Sequence, residues 1–78
     1  MAITADHMLD CSGLSCPMPI LKLAKQMKSM EGGQVLEMTG TDPGSKKDVP
    51  GWCEKKGHEL LEIVEEEGVY KFYIRKKN

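Results

Sequence analysis

Cys16 is the residue of this chain whose type and position are best suited to chemistry. The run Cys16-Pro17-Met18-Pro19 follows a glycine-containing turn and opens a predicted helix, where proline is tolerated because first-turn N–H groups have no partner within the helix. We therefore predict that Cys16 occupies the N-cap. The helix dipole and free N–H groups stabilise a thiolate there and lower a cysteine pKa below its free value of about 8.5.

A reactive thiolate without a neighbouring base favours sulfur transfer over hydrolysis. Acyl transfer by cysteine usually needs a histidine as general base, and no local motif links His7 or His58 to Cys16. Accepting sulfur from a persulfide needs little beyond an exposed thiolate of low pKa. The alternative, that Cys16 is a small buried hydrophobic residue, is disfavoured because a core cysteine has no need of a helix N-terminus.

The other two cysteines are predicted to be core residues, with a resolving role for Cys11 left open. Cys11 ends a predicted strand, and Cys53 follows Trp52 in a predicted helix. A zinc site made of Cys11-x4-Cys16 and Cys53-x4-His58 is a weaker alternative, because the second pair would span a helix end. We predict no metal and no bound cofactor, and we interpret His58 as a strand-start residue with a satisfied hydrogen bond.

Hydrophobic periodicity predicts the order β-α-β-α-β-β, and hence an α+β two-layer sandwich with two helices on one face of a four-stranded mixed sheet. The last strand has the clearest alternation, with Tyr70, Phe72 and Ile74 on one face. The predicted strands are residues 7–11, 34–41, 58–65 and 69–76. The first predicted helix follows Pro17, and its i, i+3, i+4, i+7 spacing predicts one buried face made of Ile20, Leu23, Ala24 and Met27. The second predicted helix spans roughly residues 46–56.

The second predicted helix contains a local conflict at Pro50-Gly51. We expect regular helix to begin near Asp48, a good N-cap residue, so that Pro50 falls in the first turn. Gly57 is expected to end this helix.

Length and charge limit the possible functions. A chain of 78 residues supports one small domain, and 40% hydrophobic residues fit a globular protein. Without a secretory signal or an apolar run of about 20 residues, we predict a cytoplasmic protein with no membrane insertion. The net charge of −1 does not argue for a nucleic-acid binder, which usually has an excess of basic residues. The first helix nevertheless carries Lys22, Lys25 and Lys28, a basic face that could contact an acidic partner protein or RNA phosphates.

Two blocks of the sequence resemble the TusA/SirA-like sulfur-carrier family. Residues 9–21 (LDCSGLSCPMPIL) are similar to the family signature, in which a CPxP motif opens the first helix. Residues 42–60, from Asp42-Pro43 through Trp52-Cys53 to Gly57-His58, are similar to the family's second helix and third strand.

The resemblance implies a β-α-β-α-β-β sandwich and a sulfurtransferase or sulfur-carrier function. It implies that Cys16 accepts sulfane sulfur as a persulfide from a cysteine desulfurase or rhodanese-like donor and passes it to an acceptor protein. The acceptor pathway, whether tRNA thiolation, sulfur oxidation or molybdenum-cofactor synthesis, is left open. The alternative is a non-catalytic module that binds RNA or a regulatory protein through the basic face of the first helix. That alternative draws on the fold's likeness to the C-terminal domain of a bacterial translation initiation factor.

Overall fold

The chain folds into four strands and two helices, and a computed structural model describes residues 4–15 and 17–77. The elements follow one another in the predicted order, and every strand boundary lies within one residue of its predicted position. They are β1 (His7–Cys11), α1 (Met18–Ser29), β2 (Val35–Gly40), α2 (Ser45–Lys56), β3 (Glu59–Glu66) and β4 (Val69–Arg75).

The sheet is mixed, as predicted, and its strand order is β1-β2-β4-β3. β1 pairs parallel to β2 through the crossover helix α1, whereas β4 pairs antiparallel with both β2 and β3. In the β2–β4 pair, Leu36 lies opposite Ile74 and Met38 lies opposite Phe72. The most regularly alternating strand of the sequence is thus a central strand, where its apolar residues meet partners on both sides.

The core lies between one face of this sheet and the two helices. The inward positions alternate along the strands with exposed or half-buried ones, which confirms the two-layer sandwich. The buried core residues are Cys11, Leu23, Met27, Met30, Leu36, Met38, Val49, Cys53, Tyr70, Phe72 and Ile74.

α1 is amphipathic, and of its predicted inward residues Leu23 and Met27 are buried, whereas Ile20 and Ala24 are partly buried. Its buried residues are Pro19, Leu23 and Met27, which recur every four residues along one side of the helix. The three lysines of the helix, as predicted, are exposed: they are Lys22, Lys25 and Lys28. Within residues 4–15 and 17–77, no helix has the length and apolar character needed to cross a membrane.

α2 begins at Ser45, three residues before Asp48, so the predicted later start is wrong. The Ser45 N–H donates to the Asp42 carbonyl at 3.0 Å, so the turn after β2 continues directly into the helix. Pro50 therefore lies inside the helix and lacks the N–H that would bond to the Lys46 carbonyl. Because Lys46 is exposed, water can satisfy that carbonyl, so the proline costs less than it would in a buried turn.

Residues with positive φ end α2 and form the turn of the β3–β4 hairpin. Gly57 has φ 81° and donates its N–H to the Cys53 and Glu54 carbonyls, which confirms it as the helix stop. The β3–β4 turn places Glu67 at φ 50° and Gly68 at φ 78°, the two positive values that a tight hairpin requires.

The molecule has two distinct ends. The carboxyl ends of β1 and β2, with the loops that follow them, form what we call the loop end. At the opposite, terminal end the Asp6 N–H donates to the Val35 carbonyl (2.8 Å) and the Lys76 N–H donates to the Gln34 carbonyl (2.9 Å). The first and last described segments therefore leave the fold side by side.

Candidate functional site at the loop end

The parallel pairing of β1 with β2 brings two loops together, because the carboxyl ends of parallel strands meet at one edge of a sheet. The Gly13 N–H donates to Thr41 Oγ1 at 2.9 Å, joining the loop after β1 to the loop after β2. Within the first loop, the Ser12 N–H donates to Asp10 Oδ1 at 2.9 Å. These bonds hold the chain that leads to the start of α1.

Cys16, the predicted catalytic residue, lies outside the described residues, and its role stays a prediction. Its neighbours in the chain, Ser15 and Pro17, are both exposed. The N-cap of α1 is Pro17, so the prediction of Cys16 at the N-cap is wrong by one residue. The shift follows from the Met18 N–H, which donates to the Ser15 carbonyl at 3.0 Å and forms a turn ahead of the helix.

The first turn of α1 has few backbone donors left for an anion. Pro17 and Pro19 carry no N–H, the Met18 N–H is bonded to Ser15, and the Leu21 N–H donates to the Pro17 carbonyl at 3.1 Å. Stabilisation of an anion near this helix start therefore rests mainly on the helix dipole and on nearby lysines, rather than on direct N–H bonds.

Lys22 supplies positive charge close to the loop. The hydrogen bond from the Ser12 N–H lowers the pKa of the Asp10 carboxyl most, and the Lys22 ammonium lowers this pKa further. Burial raises the pKa of the Cys11 thiol, and Lys22 opposes that rise. The field of this lysine thus reaches the end of β1, where the loop that carries Cys16 begins.

The same helix start exposes apolar surface. Met18 is 44% exposed and Leu21 is 57% exposed. An apolar and basic rim beside an exposed loop suits contact with another protein better than the enclosure of a small ligand.

The other two cysteines are core residues, as predicted. Cys11 is fully buried and Cys53 is 2% exposed. Burial raises the pKa of the Cys53 thiol to about 11 and also raises that of Cys11. Both thiols are therefore kept protonated and away from solvent, which does not suit a nucleophile.

Both histidines lie at the terminal end, remote from the loop. His7 starts β1, and its Nε2 is 3.0 Å from Gln34 Oε1. His58 precedes β3, and its Nδ1 accepts the Lys77 N–H at 3.1 Å, which confirms the interpretation of a satisfied hydrogen bond. Across residues 4–15 and 17–77, no three His, Cys, Asp or Glu side chains are grouped so that they could hold a metal ion.

Fold and sequence together define the class: a two-layer α+β protein whose first helix is opened by a CPxP motif. A family model described as Sulfurtransferase TusA matches residues 7–76. The chain belongs to the TusA family.

Similar proteins cover nearly the whole chain. A putative sulfur carrier protein, YrkI, of Bacillus subtilis is 46% identical over 92% of this chain and 96% of its own. The sulfur carrier protein TusA of Allochromatium vinosum is 48% identical over 91% of this chain and 93% of its own. The crystal structure of a SirA-like protein from Desulfitobacterium hafniense superposes with a TM-score of 0.80 at 23% identity, covering 92% of this chain and 99% of that one. This last likeness concerns the fold.

Sequence reasoning missed two features of the described structure. Thr41 was predicted only as the last residue of the second strand (residues 34–41) and the start of a turn, although the predicted β-α-β unit implied that the loop after this strand would meet the loop after β1. Trp52 and His58 stack with ring centroids 5.2 Å apart, a contact that spacing alone did not indicate because a helix end separates them.

Proposed function

We propose that this chain is a sulfur carrier that accepts sulfane sulfur on Cys16 as a persulfide and relays it to an acceptor protein. The observation that carries the proposal is similarity along nearly the full chain to proteins named as sulfur carriers, at 39% to 48% identity among TusA relatives. Residue 16 is the cysteine of the CPxP motif by which we recognise the family.

The proposed transfer is balanced without a cofactor. The Cys16 thiolate attacks the terminal sulfur of a donor persulfide, the donor S–S bond breaks, and the donor cysteine leaves as a thiolate. An acceptor thiolate then attacks the terminal sulfur on Cys16 and regenerates the Cys16 thiolate. Sulfur moves at the same oxidation level in both steps, so neither an external oxidant nor a reductant is needed.

The described residues around the loop fit this chemistry. Ser15 and Pro17 are exposed, which suits a sulfur that a partner's thiol must reach. The remoteness of both histidines disfavours hydrolytic use of the site. Burial of Cys11 and Cys53 leaves no competing thiol at the surface among the described residues, so sulfur is not diverted within the carrier.

Donor and acceptor are expected to be proteins, as the family implies. We propose a cysteine desulfurase or rhodanese-like protein as donor, docking through an acidic surface beside the exposed Lys22 and Lys25. We also propose a cytoplasmic location and a single carrier domain for this chain. Charge at this surface should change the rate of encounter with the donor more than it changes the rate of the sulfur transfer that follows.

Mass spectrometry after incubation with a persulfide donor tests the proposal. We expect a mass increase of one sulfur atom on the peptide that contains Cys16, lost on addition of a thiol and absent in Cys16→Ser. Cys53→Ala is the matched control and should load normally. Sulfur found on Cys11 or Cys53, or full loading of Cys16→Ser, would refute it. An RNA- or protein-binding module would instead keep its function in Cys16→Ser.

A further inference from the structure

α1 and α2 leave a groove between their carboxyl-terminal halves, at the terminal end of the molecule. Its volume is about 310 Å³, at the lower end of the range for ligand pockets. Ala24, Met27 and Trp52 give it an apolar floor. A groove of this size takes one or two side chains of a partner rather than a large cofactor.

Positive charge surrounds this floor. Three of the lining residues are Lys28, Lys56 and Lys76, and no lining residue is acidic. Neither of the ion pairs among the described residues involves the groove. The Lys76 ammonium donates to the Met30 carbonyl, whereas the side chains of Lys28 and Lys56 are exposed and make no hydrogen bond or ion pair within the described part of the chain. Two cations at the rim are thus available to an incoming anion.

The aromatic side of the groove is held in place. His58 stacks on Trp52 with an interplanar angle of 27°, and its Nδ1 is occupied by the Lys77 N–H. Burial and the charges of Lys77, Lys76 and Lys56 lower the pKa of His58, which favours the neutral form of the ring. The same lysines therefore produce a positive field where a ligand would lie, over a preformed apolar surface.

We infer that this groove docks an acidic protein segment with an apolar anchor residue, whose carboxylates pair with the rim lysines. Charge complementarity favours an anion, and the mainly apolar floor favours an inserted aliphatic or aromatic side chain. Single-stranded RNA is less favoured, because one face of the Trp52 ring is already stacked on His58 and is closed to a base.

The groove is separate from the site of proposed sulfur transfer. Pro17 and Met27 are ten residues apart along α1, and at 1.5 Å per residue this places the groove about 15 Å from the helix start. A segment bound here would leave the loop end uncovered. The inference does not depend on persulfide chemistry, so either proposal can fail without the other.

Trp52 makes the test direct, because it is the only tryptophan in the chain. The probe is a capped hexapeptide with two central leucines flanked by glutamates, titrated while Trp52 fluorescence is followed at low salt. We expect a saturable change that weakens as salt is raised. The same peptide with serines in place of the leucines, or with lysines in place of the glutamates, should bind at least about tenfold more weakly.

Matched charge reversals distinguish an effect of the groove lysines from an effect of the overall charge of the protein. Lys28→Glu with Lys56→Glu should weaken binding by about tenfold or more, because two favourable pairings become repulsive. Lys47→Glu with Lys55→Glu makes the same charge change on α2, but neither residue lines the groove or belongs to the surface proposed for donor docking, so binding should stay within about twofold. Circular dichroism should show that both double variants are folded.

Several results would overturn the inference. One is equal loss of binding in the two double variants, and another is no saturable signal at millimolar peptide. Tighter binding of a uridine octamer than of the peptide would assign the groove to RNA. Concentration-dependent dimerisation that Lys28→Glu with Lys56→Glu abolishes would assign it to a second copy of the chain.

Discussion

Alkylation of the folded protein should separate its three thiols by a large factor. Burial raises the pKa of Cys53 to about 11, against about 8.5 for a free cysteine. At pH 7.5 this difference of about 2.5 units lowers the thiolate fraction about 300-fold, and the thiolate is the form that reacts with iodoacetamide. Cys11 is fully buried with a raised pKa, so it should also be slow.

Access slows the buried thiols further. The reagent must wait for local opening of the core around Cys11 and Cys53, and such openings are rare in a stable domain. We therefore expect Cys16 to react at least about 300 times faster than Cys53 in the native protein.

Quenched time points and mass spectrometry of the three cysteine-containing peptides give the individual rates. The control is the same reaction in denaturant, where burial is removed and the rates should agree within a few-fold. If Cys11 or Cys53 reacts within about tenfold of Cys16 in the folded state, the assignment of Cys16 as the reactive thiol is wrong.

Two further predictions concern the core and the basic face. Phe72→Ala should lower the free energy of unfolding by roughly 3 to 5 kcal/mol, because Phe72 is fully buried. Tyr73→Ala should cost clearly less, because Tyr73 lies on the opposite face with its hydroxyl bonded to Glu37. Urea denaturation measures both, and similar losses would contradict the assigned faces. Lys22→Glu with Lys25→Glu should slow sulfur transfer from a protein donor but not from a small-molecule donor, with a difference that shrinks as salt is raised. Equal slowing with both donors would exclude a docking role.

Much of the fold could be predicted because local patterns and packing agree. Phe72 and Ile74 alternate with polar residues, and this alternation is preserved in β4, where both are fully buried. The periodicity of α1 likewise predicted Leu23 and Met27 at its buried face. At these positions the local hydrophobic pattern favours the same orientation of the side chains that packing of the core requires.

The predictions failed, or could not be made, where distant or turn-specific interactions decide the structure. The start of α2 depends on the bond from Ser45 to Asp42, which outweighed the N-cap preference of Asp48. The central place of β4 results from pairing with β2, about 35 residues earlier in the chain, which no local pattern encodes. The groove beside Trp52 depends on how two helices and the chain end meet, so spacing could not indicate it.

The first and last described segments leave the fold beside Gln34 and Val35, which has a practical consequence for handling the protein. An affinity tag, a surface tether or a fused domain attached at either end would extend away from the loop that carries Cys16. Immobilised protein should therefore present that loop to soluble enzymes. The same attachment would lie near the lysines of the groove, and an acidic tag could occupy it. Peptide titrations thus require tag-free protein, whereas sulfur-loading assays should tolerate a tag.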